Sequence, residues 1–439
     1  VKIHVLTAEL LDAGGGVATY YRHLLPALAA QGCEVQVTEG GATRAVAGGA
    51  EGQIAGVPVR VLELERLNRW RGRFPALAAA PHLQREIAAA WAIWELAAEA
   101  QTADVVETCD FGLSFLPPLL AAGPPTVAQM HGSGGQLAGH DPIAGRELDG
   151  GLRLALETGA LPSAASVQTS SSRNAAYWSA QCGRAVDVLR PAWRPEHPFA
   201  PSAGDRLVVV GRLQRWKGPE ALCEALRRLG PRAPGVDWYG RDTAFERAGQ
   251  PMSARLAERY PDIWGQAFQH RGPATSQVIA ERQASALLNV APSTWDVFNL
   301  AAVEAMASGR PLVISAQAGA SELVRDGETG FVYDADDVDA LARTLDRALA
   351  LPAERLAAIG AAAREAVVEA LDPARIAAER IAAYELAARA GPRAAVPDFV
   401  RRLGSPGAEA DGLEFLDNLP LSALAANLAR RGLGKVLKR

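Results

Sequence analysis

The sequence predicts an α/β protein built from two domains in series, each with parallel strands joined by helical crossovers. Three observations lead there. The chain has 439 residues, more than one ordinary hydrophobic core accommodates. Short apolar runs of strand length alternate with Ala- and Leu-rich helical stretches through most of it. The alternation breaks at "PAWRPEHPFAPSAGD", from Pro191 to Asp205, and then restarts.

In the first half, Ile3-Leu6 opens as a strand, and Val17 to Ala30 reads as a helix that ends at Gly32. Glu34-Thr38, Val59-Leu62, Asp104-Glu107, Thr126-Met130 and Ser166-Thr169 are further strands, with helical stretches such as Leu83 to Ala100 between them. The Pro191–Asp205 segment has four prolines and no periodicity, which is the texture of a linker. Beyond it, Leu207-Val210, Val236-Tyr239, Phe268-His270, Ala286-Val290 and Leu312-Ser315 are strands. The expected domains are therefore residues 1–195 and 205–372, with a helix over 373–390 that can cross back onto the first domain. Residues 395–439 form an extension. Its end, "LPLSALAANLARRGLGKVLKR", is amphipathic and carries Arg430, Arg431, Lys435, Lys438 and Arg439. Gly432 and Gly434 weaken a helix there, so the end reads either as a solvated tail or as a contact with a membrane surface.

Composition narrows the function. The net charge is −4, which gives no global basic field for nucleic acid. The four cysteines are scattered without a CxxC pair, which fits a reducing compartment and supplies no zinc site. No histidine pair has metal-ligand spacing. The start, VKIHVLTAEL, does not read as a signal peptide. The apolar stretch from Phe111 to Met130 contains Pro117, Pro118, Pro124 and Pro125, which a membrane helix tolerates poorly. The expected location is the cytoplasm.

Candidate chemistry sits at the ends of strands. Gly14-Gly15-Gly16 opens the first helix, where backbone N–H groups approach an anion or a sugar hydroxyl, or where the chain simply turns tightly. Glu39 follows the second strand as an acid does in a dinucleotide fold, but the glycine fingerprint is incomplete. His131 directly follows Thr126-Met130 and precedes Gly132-Ser133-Gly134-Gly135, at the strand end where open α/β sheets hold ligands. Arg212 and Lys217 lie five apart in "GRLQRWKGPEAL", placed either to neutralise a diphosphate or as solvated cations. In "STWDVFNLAAVEAMASGRP", Asp296 falls in a loop and Glu304 about a turn and a half into a helix that begins near Asn299. The free N–H groups at Phe298, Asn299 and Leu300 would face phosphate, Glu304 a ribose and Asp296 a sugar. The plainer reading of the two acids is a helix-start acid and a solvated glutamate.

Taken in order, the glycine loop near residue 15, "GRLQRWKG", "WDVFNLAAVEAMASGRPLVIS" and "AGASELVRDGETGFVY" resemble the retaining glycosyltransferases of family 4. The resemblance covers residues 1 to about 390 and is most specific from Leu207 to Tyr333. It implies the GT-B fold, two Rossmann-like domains facing each other across a cleft. A nucleotide-sugar donor would sit on the C-terminal domain, and a saccharide or lipid-linked saccharide acceptor on the N-terminal one. It implies no cofactor and no metal: Arg212 and Lys217 would stabilise the diphosphate leaving group. Glu304 would bind the ribose, and Phe298, Asn299 and Leu300 the phosphates and sugar. Gly15 and Gly16 would approach the donor, and His131 would touch the transferred sugar or the acceptor. "YGRDT" at Tyr239–Thr243 and "HRGP" at His270–Pro273, with Arg271, would line the base site.

Two departures stand out. The family pattern has Glu where this chain has Asp296, one methylene or roughly 1.5 Å shorter. "FNL" replaces the commoner "FGL", adding an amide near the same sugar. The expected activity is retaining, metal-independent sugar transfer in bacterial surface polysaccharide or glycolipid assembly. The rivals are an epimerase or phosphorylase of the same fold and a donor-binding subunit without turnover.

Overall fold

The computed structural model of the chain describes residues 1–407, apart from 12–13, 79, 144–146, 203, 247–248, 338 and 391–393, together with 425 and 429. The basic cluster from Arg430 to Arg439 lies outside the described residues. The chain divides into two compact units, Val1–Ala192 with Pro373–Arg439, and Trp193–Asp372.

The sheet of the first unit contains β1 (Lys2–Thr7), β2 (Glu34–Glu39), β3 (Ala50–Ile54), β4 (Val57–Val61), β5 (Val105–Cys109), β6 (Thr126–Met130), β7 (Ser166–Thr169) and β8 (Asp187–Val188). Their order is β3-β4-β2-β1-β5-β6-β7-β8. All neighbours are parallel except β3 and β4, which pair antiparallel. β5 and β6 are buried along their whole length, which is why each reads as a strand from sequence. β3 and β8 carry no such signal: β3 is the polar, exposed edge segment AEGQI, and β8 has two residues. The stretch expected to be helical from Leu83 to Ala100 is an α-helix only over Pro81–Leu96, followed by a 3₁₀ turn over Ala98–Thr102.

The order places β1 beside β2 on one side and β5 on the other. Connections leave in opposite directions at that point, which in open α/β sheets is where ligands are held outside the carboxyl ends of the strands.

The helix Pro373–Ala390 packs on the helix Gly16–Ala30. Its buried face is Ile376, Ala377, Arg380, Tyr384 and Ala387, an apolar stripe with one arginine in it. Arg380 is fully buried. It donates to the side-chain oxygens of Gln129 (2.7 Å) and Gln168 (3.0 Å) and to the carbonyl of Leu189 (3.2 Å). It lies 3.6 Å from Glu107 Oε2, and its guanidinium stands 5.2 Å from the centre of the Tyr20 ring. Glu107 also accepts from the Tyr384 hydroxyl. The next helix, Asp398–Gly404, packs on the helices Leu116–Leu120 and Glu147–Ala160. Trp91 Nε1 donates to Gly404 O at 2.6 Å, and Gly407 N to Arg73 O at 2.8 Å, so the chain is tied to this unit as far as residue 407.

The second unit has β9 (Leu207–Val210), β10 (Val236–Tyr239), β11 (Phe268–Gly272), β12 (Leu288–Ala291), β13 (Leu312–Ser315) and β14 (Phe331–Tyr333). All are parallel, in the order β11-β10-β9-β12-β13-β14. The order reverses between β9 and β12. The described residues of the proline-rich stretch after Ala192 have no helix or strand up to β9, but the stretch is anchored. Trp193 is buried and donates its N–H to Leu371 O (2.9 Å), and Ser202 N–H donates to Ala284 O (2.9 Å). Both anchors lie within this unit.

Removing one member of a buried ion pair leaves the other charge unsolvated. Arg380→Ala is therefore expected to lower the stability of the first unit by about 3–5 kcal/mol. The double change Arg380→Met with Glu107→Gln is expected to recover part of that loss. Urea denaturation of the full chain checks both, and an unchanged midpoint for Arg380→Ala would contradict the arrangement.

Candidate functional site

In the second unit the loops leaving β9 and β12 meet where the strand order reverses. Gly218 has φ +79, and a Cβ there would lie 1.7 Å from Pro292 O, so only glycine lets the two backbones approach. Thr294 N–H donates to Trp216 O at 2.9 Å, and the Trp216 and Trp295 rings meet edge to face at 5.3 Å. This zipper brings Lys217 Nζ to 2.5 Å from Asp296 Oδ2. Ser293 Oγ donates to the same oxygen at 3.4 Å. The two charged side chains are only 16% and 10% exposed. Asp296 is further held by its backbone, which donates to Gln317 O and accepts from Gly319 N, both at 3.1 Å.

Asn299 then starts the helix Leu300–Ala307 from φ +78, a left-handed position that Asn tolerates better than most residues. Its Oδ1 accepts from Ala302 N at 3.2 Å, and its Nδ2 donates to Ser293 Oγ at 3.4 Å. The amide of "FNL" thus caps its own helix and braces the loop. Phe298 is buried in the core, and its carbonyl accepts from Ala320 N at 2.7 Å. The first N–H groups of the helix have no acceptor within it.

Glu304 lies in the same helix, half-buried, and its carboxylate makes no hydrogen bond or ion pair to any described residue. Burial pushes its carboxyl up to about 7, and the neighbouring negative charge of Glu196 adds to the rise. Arg212, directly after β9, is exposed and pairs with none of the described residues. Arg271 is placed differently. It sits on the edge strand β11 and bonds Asp237 Oδ1 at 2.8 Å, away from the Lys217–Asp296 pair. His270 Nε2 lies 2.8 Å from Gly240 O, which joins the "YGRDT" and "HRGP" segments.

In the first unit, Gly15 precedes the helix Gly16–Ala30 as its cap. A Cβ on Gly15 would lie 1.9 Å from Glu9 Oε1, whereas Gly16 has nothing within 4 Å. Glu39 is buried and accepts from Leu11 N at 2.7 Å, so it clamps the loop between β1 and that helix. His131 donates its backbone N–H to Asp110 Oδ1 at 3.0 Å, and Gly132 N–H reaches Oδ2 at 3.1 Å. The His131 ring is part-exposed and meets Tyr20 and Tyr21 edge-on at 4.5 and 5.7 Å. Its Nε2 is covered and has no partner among the described residues. Burial, then the charge of Arg380, holds the imidazole down at about 3, so it is neutral. Glu157 accepts from Ser133 Oγ (2.7 Å) and Gly135 N (3.1 Å). Burial raises Asp110 to about 6 and Glu157 to about 8, against the opposing effect of these hydrogen bonds. Among the described residues, no group of three or more His, Cys, Asp or Glu is placed to hold a metal ion.

The structure therefore gathers Lys217, Asp296, Phe298, Asn299 and Leu300 at one strand-order reversal, with Arg212 and Glu304 on the same two strand-to-helix connections. Gly15, Gly16 and His131 belong to the other unit. Sequence reading missed Asp110, Glu157 and Arg380. Asp110 follows a strand whose end was placed two residues early, and Arg380 was visible as a charge in an apolar helical stripe. Glu157 had no local signal.

Known proteins resemble this chain in both units. The domain model "Glycosyl transferase 4-like domain" matches residues 15–189, and "Glycosyl transferases group 1" matches residues 195–366. A D-inositol 3-phosphate glycosyltransferase of Arthrobacter is 30% identical over 155 residues, 34% of this chain and 36% of the relative. The matched stretch spans about a third to a half of the length of such curated relatives. Sucrose-phosphate synthase from Thermosynechococcus elongatus superposes with a TM-score of 0.67 at 22% identity, covering 88% of this chain and 98% of that one. Anabaena HepE in complex with UDP and glucose gives 0.62 at 18% identity, covering 88% and 99%. At these identities the structures establish the fold, which is that of the GT-B glycosyltransferases.

Glu304 carries a pH signature. Its pKa in the folded chain, about 7, lies above the ordinary glutamate value of roughly 4.3. Its contribution to stability is then full below the ordinary value and is lost as pH rises through 7. Glu304→Gln is expected to raise the melting temperature more at pH 8 than at pH 5. An equal offset at both pH values would remove this reading of the carboxyl.

Proposed function

Because the chain belongs to the glycosyltransferases whose two halves these domain models describe, we propose that it moves a sugar, with retention and without a metal, from a nucleotide-diphosphate donor to a hydroxyl acceptor. One observation carries this: cations, the first N–H groups of a helix capped by Asn299 and an unpartnered carboxylate lie on the two strand-to-helix connections where the strand order of the second unit reverses.

Each group has a task. Arg212 meets the diphosphate with its planar fork. Lys217 has three N–H donors and gives one to Asp296, which leaves two for phosphate oxygens. The start of the helix Leu300–Ala307 turns its N–H groups to the same anion. Glu304 accepts from the ribose hydroxyls. Asp296 uses Oδ2 for Lys217 and Ser293, and Oδ1 remains for a hydroxyl of the sugar. Gly15 and Gly16 allow the backbone close to the donor, and neutral His131 stands by the transferred sugar or the acceptor. The bond from the anomeric carbon to the phosphate oxygen breaks, with its electron pair passing to that oxygen. The acceptor oxygen bonds to the same face of the carbon, and its proton passes to the departing phosphate oxygen. Arg212 and Lys217 stabilise the charge that develops.

The anomeric configuration of the product, read by NMR, tests retention. Lys217→Ala and Glu304→Gln are each expected to lower kcat/KM by about 10- to 100-fold, the effect of losing a charged hydrogen bond to the donor. Rates should be unchanged by chelator in a panel of UDP-, GDP-, ADP- and TDP-sugars. Near-normal rates in both variants would discard the site, and loss of activity with chelator would end the metal-free reading. Donor binding without nucleotide release would indicate a binding subunit, and a changed donor sugar without transfer an epimerase.

We further propose bacterial surface polysaccharide or glycolipid assembly as the setting, with the basic C-terminal end at an anionic membrane surface. No helix among the described residues is long and apolar enough to cross a membrane. A chain ending after Gly407 is expected to sediment less with phosphatidylglycerol vesicles than the full chain, increasingly so at low salt. Equal sedimentation would discard the membrane contact.

A further inference from the structure

We propose that Phe111 is an acceptor platform: its ring stacks on the C–H face of a neutral pyranoside at the strand-order reversal of the first unit. This inference rests on the glycosyltransferase reading and adds the acceptor class.

Phe111 follows β5 by two residues, at the carboxyl end where β1 and β5 adjoin and connections diverge. Its neighbour Gly112 is close to β1's exit, since a Cβ there would lie 3.7 Å from the Ala8 Cβ. Phe111 is 44% exposed and is the one aromatic among the exposed large hydrophobic side chains of the described residues. A single exposed apolar residue is ordinary on a protein surface. Here the backbone holds it in place. Leu113 N–H donates to Asp110 O at 3.1 Å, closing a tight turn around Phe111 and Gly112. Gly112 has φ +90 and Leu113 φ +58. A leucine in the left-handed region is strained, and Leu113 is fully buried, so packing imposes that conformation on the turn. Asp110, at the other end of the turn, is buried and fixed by the N–H groups of His131 and Gly132. The turn bearing Phe111 is thereby coupled to the loop bearing His131.

The surroundings select the ligand. The three loops that end β1, β5 and β6 carry partly exposed polar and glycine residues: Glu9, Gly15, Gly112 and His131. An acyl chain needs a continuous apolar wall, which one ring among polar groups does not supply. A sugar ring has an apolar C–H face and a rim of hydroxyls, which matches one aromatic face with hydrogen-bonding groups around it.

The test uses the full chain, saturation-transfer NMR and the methyl α- and β-glycosides of glucose, galactose and mannose, with hexyl β-glucoside as the alkyl control and UDP-, GDP-, ADP- and TDP-glucose as donors. At least one methyl glycoside is expected to bind with saturation on one ring face. Phe111→Ala should weaken that binding about tenfold, Phe111→Leu nearly as much, and Phe111→Tyr little. Donor binding and the melting temperature should be unchanged in all three variants. The proposal is overturned if no methyl glycoside binds while a donor does, if Phe111→Ala binds glycoside as the parent does, or if affinity follows the hexyl chain rather than the ring. Failure of every donor to bind would instead count against the glycosyltransferase reading.

Discussion

The backbone contact between Gly218 and Pro292 is what the polar arrangement of the second unit depends on. Lys217 and Asp296 are 79 residues apart in the chain, and they meet because the loops after β9 and β12 touch with no side chain between them. Both strands are buried and parallel, so their carboxyl ends emerge at the same level. The reversal of strand order then carries one connection to each side and leaves the space above them open. A buried lysine and aspartate are costly singly and tolerable together, so each fixes the other. The pair leaves two ammonium donors and one carboxylate oxygen uncommitted.

The first unit solves the same problem with neutral and acidic groups. Its strand-end loops are held from below by carboxylates that accept backbone N–H groups: Glu39 for Leu11, Asp110 for His131 and Gly132, Glu157 for Gly135. Arg380 supplies the nearby positive charge from a helix far along the chain, through Tyr20 and the two glutamines. The C-terminal crossing helix is thus part of the support beneath His131 as well as part of the core.

Much of this was legible in the sequence where burial dictates residue type. LVVV, LVIS and TVAQM are strands in the positions their apolar runs indicated. AEGQI and FVY were not legible, one being an exposed edge and the other three residues long. In the second unit, residue types and spacing picked out Arg212, Lys217, Asp296 and Glu304, and the fold places all four on the two connections that leave β9 and β12. They could not reveal that Lys217 and Asp296 bond to each other, because pairing across 79 residues is a property of the sheet order. Nor could they show that Asn299 stands in the left-handed region, where its amide is occupied by Ala302 and Ser293. Nor could they show that Arg271 bonds Asp237 on the neighbouring strand.

Anchoring of this kind leaves few side chains free to differ between relatives with the same fold. In the second unit the helix cap, the loop zipper and the ion pair fix the backbone, so under the proposed function donor preference would fall to Arg212, Glu304 and the open oxygen of Asp296. The shorter arm of Asp296 then has a concrete consequence. At 2.5 Å from Lys217, the carboxylate is drawn toward the ammonium, and its second oxygen reaches less far toward a sugar than a glutamate's would. Under the proposed function, a donor whose hydroxyl projects toward that oxygen would be favoured over one whose hydroxyl points away. In the first unit the carboxylate clamps fix the loops in the same manner, and the partly exposed groups beside them are the imidazole of His131, Glu9 and the ring of Phe111. Under the proposed function, selectivity in both halves would therefore fall to a handful of partly exposed groups on a backbone whose loops are already held by hydrogen bonds.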